Sequence, residues 1–342
     1  MRFMPILLMA AALACGSAAS PAKAGTEITG AGSTFDYPFF SRAFHTYSEA
    51  HPDVTVGYEA IGSAGGILEF SGKAVDFGAS DVPMNTAELA WTKDPVLQVP
   101  VTLGGEGIAY NLPGIAKGLH LTRQVVADIY LGKITQWNDP AITGLNPGIE
   151  LPPMPITVVH RSDGSGTTYI FTDFLSHVSP AWEQNVGKGK SVIWPVRSSA
   201  GGQGNEGVAA LVGRIPGAIG YVELAYLLQN DMTYALLQNK AGKYLYPDIA
   251  TVAAAAVTKP NLSSADFSIV DAAGPDCYPI SGYSWVVLYR TPRDAQRGAL
   301  VRQIMKWLVT EAQPIAKTVD YVPLPDQVQR QTNEILNQMR VE

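Results

Sequence analysis

After Gly25 the chain alternates short apolar runs of period two with longer runs of period near 3.6. Residues 27–29, 54–58 and 75–79 predict strands, rich in β-branched and aromatic side chains. Residues 35–50 predict a helix with Phe39, Phe40, Ala43, Phe44 and Tyr47 on one face. Residues 62–66 read as a turn and 67–72 as a short helix behind it. Residues 96–103 and 108–112 predict two strands on either side of a Gly-rich joint. Further on, 122–131 predicts a helix with Val125, Val126, Ile129 and Tyr130 inward, 156–159 a strand, and 168–175 a helix. Residues 207–212 predict a helix, and 218–222 and 285–289 predict strands. The clearest amphipathic helix is 295–309, where Leu300, Ile304 and Leu308 repeat every fourth position. Alternation of this kind argues for an α/β architecture with largely parallel sheets. No internal repeat is visible, and the Pro-rich, charge-poor residues 143–155 read as an excursion within a lobe, not a linker.

The first residues follow a different plan. Arg2 precedes an apolar run over residues 3–14, and a stretch of small residues ends at Ala22-Lys23-Ala24. That is the three-part plan of a secretory signal, residues 1–24, cleaved before Gly25 for a periplasmic product. The run is too short to span a bilayer. Cys15 offers a lipidation site, but Ala12 stands where such sites usually take Leu, so the soluble product is preferred. Cleavage leaves Cys277 as the only thiol, which excludes an internal disulfide.

Length and composition narrow the function. A chain of 342 residues has room for two domains. With 46% apolar and only 16% charged residues it is no disordered chain. Its formal charge is −6, and −8 once Arg2 and Lys23 are gone, with 22 basic against 30 acidic residues. Nucleic acid would ask for a basic surface, so it is not an expected partner. The five His never pair at i+4 and no Cys/His cluster exists, so no metal and no cofactor is expected.

Three loops carry the candidate chemistry. They are Gly30-Ala31-Gly32-Ser33-Thr34-Phe35, Gly62-Ser63-Ala64-Gly65-Gly66, and Arg161-Ser162-Asp163-Gly164-Ser165-Gly166-Thr167. In each a strand ends, a small polar turn follows and a helix begins. A helix start leaves backbone N–H groups without partners, and its dipole favours an anion. One such loop reads as an ordinary N-cap. Three in one chain, one bearing an arginine, point to an oxyanion site at the carboxyl ends of the strands. Competing motifs fail on spacing. A dinucleotide fingerprint from Gly30 and Gly32 would need its third glycine at Phe35. A phosphate loop ending Gly189-Lys190-Ser191 would need glycine at Gln184, and a hydrolase elbow around Ser165 would need it at Asp163.

These loops, with Val75-Asp76-Phe77-Gly78-Ala79-Ser80-Asp81, Tyr130-Leu131-Gly132-Lys133-Ile134 and residues 214–223, closely resemble the family of periplasmic phosphate-binding proteins of Pst-type ABC importers. The resemblance runs from Thr29 to about Leu336. Two departures are Asp36-Tyr37, where Pro and a small residue are expected, and Cys277-Tyr278 before Pro279. The resemblance implies a two-lobe, type II binding-protein fold, each lobe a mostly parallel sheet flanked by helices. Lobe I would be residues 25–102 plus 279–342 and lobe II residues 103–278, joined by two crossover strands that hinge near 103–106 and 279–282. It implies a monomeric, non-catalytic receptor that closes on phosphate and delivers it to the permease and ATPase subunits of the importer. The implied ligand contacts are Thr34, Phe35 through its backbone N–H, Ser63, Asp81, Arg161, Ser165, Gly166 through its backbone, and Thr167, with Asp163 supporting Arg161.

Asp81 carries the selectivity argument. A carboxylate facing an anion repels it unless the ligand has a proton to donate. Hydrogen phosphate has one at neutral pH and sulfate has none, so a site built on that bond rejects sulfate. The other readings are a receptor for another oxyanion of the sulfate or molybdate type, and a secreted phosphatase using Ser165.

Overall fold

The computed structural model describes residues 25–342; the expected leader, with Cys15 and its cleavage site, lies outside them. The strands are β1 (Thr26–Gly32), β2 (Val54–Glu59), β3 (Phe77–Ser80), β4 (Val96–Tyr110), β5 (His120–Leu121), β6 (Thr157–Arg161), β7 (Ser199–Gly202), β8 (Ala218–Glu223), β9 (Leu236–Gln238), β10 (Tyr244–Leu245) and β11 (Ser281–Tyr289). Eight of them form one sheet in the order β2-β1-β3-β11-β4-β8-β6-β7, and β10-β9-β5 form a small second sheet.

The large sheet has two parallel halves and an antiparallel middle. β1 pairs in parallel with β2 and β3, and β6 with β7 and β8. β11 runs antiparallel to β3 and β4, and β4 antiparallel to β8. The expectation of largely parallel sheets therefore holds within each half. It stops at the middle because β4 and β11 run between the halves in opposite directions.

The two strands expected on either side of residue 105 are one strand of 15 residues. Val96–Gly105 pairs with β11 and Glu106–Tyr110 with β8, so edge hydrogen bonds hold the chain extended through its glycines. Those glycines answer to packing. A Cβ on Gly104 would lie 2.8 Å from the Phe35 ring, on Gly105 2.6 Å from Val252 and on Gly107 2.3 Å from Leu227.

Helix Tyr37–Ala50 buries the five residues its period placed on one face. Phe40 and Phe44 meet Tyr58 and Phe77 edge-on or tilted, with centroids 5.0–6.5 Å apart. Each such ring contributes about 2 kcal/mol by leaving water. Helix Ala295–Leu308 likewise buries Ile304 and Leu308, with Leu300 half-buried.

The segment read as a turn at 62–66 is the first turn of a helix, Ser63–Ser71. Gly62 precedes it at φ +87°, where an L side chain is strained. Gly66 lets the helix lie directly on β1, since a Cβ there would sit 2.3 Å from the Gly32 Cα. Helix Gly166–Val178 begins two residues before its predicted start because Ser165 caps it by accepting the Thr168 N–H at 3.0 Å. Cys277 is buried and unpaired.

Candidate functional site

The carboxyl ends of β1, β3 and β6 and the starts of three helices converge where the two halves of the large sheet meet. Every residue predicted for the site is there, and all are at least nine-tenths buried except Asp163, which is half-buried.

From the first half come Thr34, Phe35, Ser63 and Asp81. The Thr34 hydroxyl accepts from the Asn205 side-chain amide at 3.1 Å, across the junction. The Phe35 carbonyl accepts from the Tyr321 hydroxyl, and the ring packs against Tyr321 with centroids 6.3 Å apart. Ser63 Oγ accepts the Gly166 N–H at 3.0 Å and the Asp81 N–H at 3.3 Å. Asp81 Oδ1 accepts from the Ser33 hydroxyl and lies 2.9 Å from Ser284 Oγ. Its Oδ2 accepts from Thr167 at 3.4 Å.

From the second half come Arg161, Asp163, Ser165, Gly166 and Thr167. The guanidinium lies in a fork with Asp163, its Nε donating to Oδ1 at 2.7 Å and Nη2 to Oδ2 at 2.5 Å. Nη1 donates to Thr167 Oγ1 at 3.3 Å. Burial pushes the Asp163 carboxyl up, but the Arg161 hydrogen bonds and charge outweigh it and hold the group below its usual range. Asp163 also accepts the Gly204 N–H at 3.1 Å, which anchors the neighbouring helix Gly204–Arg214. Gly166 is a close approach between the halves: a Cβ there would lie 2.6 Å from Asp81 and from Ser63 Oγ.

The electrostatics are unusual for a site that could hold an anion. Arg161 is its one guanidinium, and Asp163 balances it. Burial raises the Asp81 carboxyl above its usual range, while Ser33, Ser284 and the Arg161 charge pull it back. What remains is a set of neutral donors, hydroxyls and helix-start amides, around one carboxylate acceptor. Fixed dipoles of this kind replace hydration without a large net charge.

Sequence reasoning missed several members. Ser33 lay inside a recognised loop, yet its partner Asp81 is 48 positions away. Asn205 reaches both Thr34 and Thr167, the latter at 3.2 Å. Ser284 sits on β11, where strand propensity carries no sign of a role. Buried acids were missed as well: Asp36, Glu106 and Glu223 are all fully buried. Glu88 and Lys190 form an ion pair across the junction at 2.7 and 2.8 Å. His160 is explained by packing: its ring stacks on Trp194 with centroids 5.0 Å apart and Nδ1 meets the Arg161 carbonyl at 2.9 Å.

Two α/β halves, crossed by two strands and meeting at a sealed polar junction, define a ligand-binding protein of the two-lobe, type II class. A family profile described as PBP superfamily domain matches residues 17–312. The phosphate-binding protein PstS of Xylella fastidiosa is 43% identical over 308 residues, covering 89% of this chain and 83% of that protein. That of Pasteurella multocida is 43% identical over 304 residues, covering 88% and 87%. The chain belongs to the PstS family of phosphate-binding proteins within that superfamily. In fold it matches a high affinity periplasmic phosphate-binding protein solved with bound phosphate, at a TM-score of 0.73 and 20% identity over 90% of this chain and 93% of the other. A phosphate-binding protein from Stenotrophomonas maltophilia matches at 0.67 and 22%, over 91% and 94%.

Proposed function

We propose that this chain binds inorganic phosphate between its lobes in the periplasm. It then delivers the ion, as a monomer, to the permease and ATPase subunits of an ABC-type importer. The contacts assigned to phosphate are Thr34, Ser63, Asp81, Arg161, Ser165 and Thr167 through side chains, and Phe35 and Gly166 through backbone N–H. The lobes are residues 25–102 with 279–342, and 103–278. The hinges lie near 103–106 and 279–282, where β4 and β11 pass between them.

One observation carries this reading: a buried carboxylate, Asp81, stands among neutral donors, with Oδ2 turned toward Thr167 and Gly166. An acceptor in that place is favourable only toward a ligand that brings a proton. Hydrogen phosphate and arsenate qualify, and sulfate does not. The phosphatase reading finds no base in His160, the nearest histidine to Ser165 in sequence, which turns Nδ1 to the Arg161 carbonyl and stacks on Trp194.

Calorimetry with phosphate and sulfate tests the reading. Wild type should bind phosphate at least ~10⁴-fold more tightly than sulfate, the range reached when a buried polar group would lose its partner. Asp81→Asn should shrink that ratio by roughly two orders of magnitude, because the amide can donate to an unprotonated oxyanion. An unchanged ratio in Asp81→Asn would remove Asp81 from recognition.

A further inference from the structure

Asp36, one of the two departures from the family pattern, follows directly on the first ligand loop. It is fully buried. Its Oδ2 lies 2.6 Å from Ser284 Oγ, and its Oδ1 has no partner. The same Ser284 Oγ lies 2.9 Å from Asp81 Oδ1. The groups facing Asp36 from the surrounding elements are Ser33, Ser284, Asp81, Tyr58, Glu223 and Tyr321. None of them is a cation.

A count of protons then decides the state of the pair. Ser284 has one hydroxyl proton and two carboxyl neighbours within hydrogen-bond distance. If it gave that proton to Asp36, a second buried carboxylate would stand beside Asp81 with one oxygen bare and no counter-charge. That arrangement is strongly disfavoured in a dry interior, where an unpaired charge loses its hydration. If Ser284 donates to Asp81, the short contact to Asp36 needs a proton of its own, and only the Asp36 carboxyl can supply it. The chain of donors is then Asp36 to Ser284 to Asp81. Burial, and after it the charge of Asp81, push the Asp36 carboxyl well above the usual range, in the same sense.

Resting on the reading of this site as a phosphate site, we propose that Asp36 is a specificity-determining positioning residue that acts as a neutral acid. Through Ser284 it gives Asp81 Oδ1 a second hydroxyl donor beside Ser33. Both donors occupy Oδ1, so Oδ2, met in this structure only by the Thr167 hydroxyl at 3.4 Å, is left to accept the proton of the ligand. Asp81 is held ionised and oriented, and no second negative charge is added near the anion.

Wild type, Asp36→Asn and Asp36→Ala test this by phosphate calorimetry and by infrared difference spectra in the carbonyl region of protonated carboxylic acids. Asparagine keeps a donor toward Ser284 and alanine does not. Asp36→Asn should bind phosphate within about threefold of wild type, and Asp36→Ala at least about tenfold more weakly, the worth of one charge-assisted hydrogen bond. Wild type should show an acid carbonyl band that is absent from Asp36→Asn. An intact band in Asp36→Asn, equal losses in both variants, or no loss in Asp36→Ala would each overturn the proposal. If Asp36→Asn does not fold, Ser284→Ala replaces it: cutting the relay must weaken phosphate binding about tenfold and shift the acid band, and no change in either overturns the idea. Wild type failing to bind phosphate would instead sink the reading of the site, and this inference with it, whatever the band showed.

Discussion

Replacing Gly166 by alanine asks whether the ligand is sealed by close approach of the lobes. Gly166 opens helix Gly166–Val178 and is not among the residues of positive φ, so alanine is compatible with its backbone. Within the second lobe the change is neutral or mildly stabilising, by up to about 1 kcal/mol of helix propensity. Across the junction it is not. The added Cβ would meet the Asp81 Cβ and Ser63 Oγ at 2.6 Å, where ordinary contact begins at 3.4 Å. The Asp81 Cβ sits next to the backbone and cannot swing away, so the cleft must open by about 0.8 Å. Opening stretches three junction hydrogen bonds: the Tyr226 hydroxyl to the Thr34 carbonyl at 2.8 Å, Ala64 N–H to the Gly164 carbonyl at 2.9 Å, and Asn205 to Thr34 at 3.1 Å. At about 1 kcal/mol each they amount to roughly 3 kcal/mol, or about a hundredfold in phosphate affinity. Calorimetry reads the affinity, and a thermal melt of the ligand-free protein reads the fold. Unaltered melting with a hundredfold weaker binding is the expected result. Binding within threefold of wild type would show that the lobes do not close on this line.

Two more perturbations probe the junction and its buried acids. Lys190→Met removes the cation from the pair with Glu88, whose side chains are only 12% and 10% exposed; it should weaken phosphate binding about tenfold, mostly through faster release in stopped-flow, because a charge is left buried and unpaired in the closed form. Burial first, and then the charge of Asp81, raise the Glu106 carboxyl well above its usual range, and neither of its oxygens has a partner. A raised carboxyl means the folded chain keeps a proton that the unfolded chain loses. Its stabilisation is complete below the unfolded value of about 4.3 and is lost as pH rises through the folded value, at up to about 1.4 kcal/mol per pH unit. Denaturant melts from pH 5 upward should show stability falling with pH, and Glu106→Gln should flatten that slope; a slope equal to that of wild type would mean Glu106 is ionised in the folded protein.

The local parts of this protein are written in its periodicity. Phe39, Phe40, Ala43, Phe44 and Tyr47 face the core because a 3.6-residue repeat allows nothing else for five apolar side chains in one helix. The three Gly-rich loops announce helix starts, since small residues and hydroxyls satisfy the free amides there. Thr34, Ser63, Arg161 and Thr167 lie in those loops, while their part in holding a ligand, and that of Asp81 outside them, came from the resemblance to the phosphate-binding family. Periodicity failed where pairing partners decide the outcome. Glycines 104, 105 and 107 look like a break between strands, but β11 and β8 hold the backbone extended through them. Nor could local pattern join Asp36 to Ser284 or Glu88 to Lys190, which are 248 and 102 positions apart. Local sequence sets what each segment can become because backbone and side-chain preferences act over a few residues. Which buried acids share a proton and which side chains meet across the cleft depends on contacts between distant segments. Only the folded sheet, with two strands crossing its middle, brings those segments together.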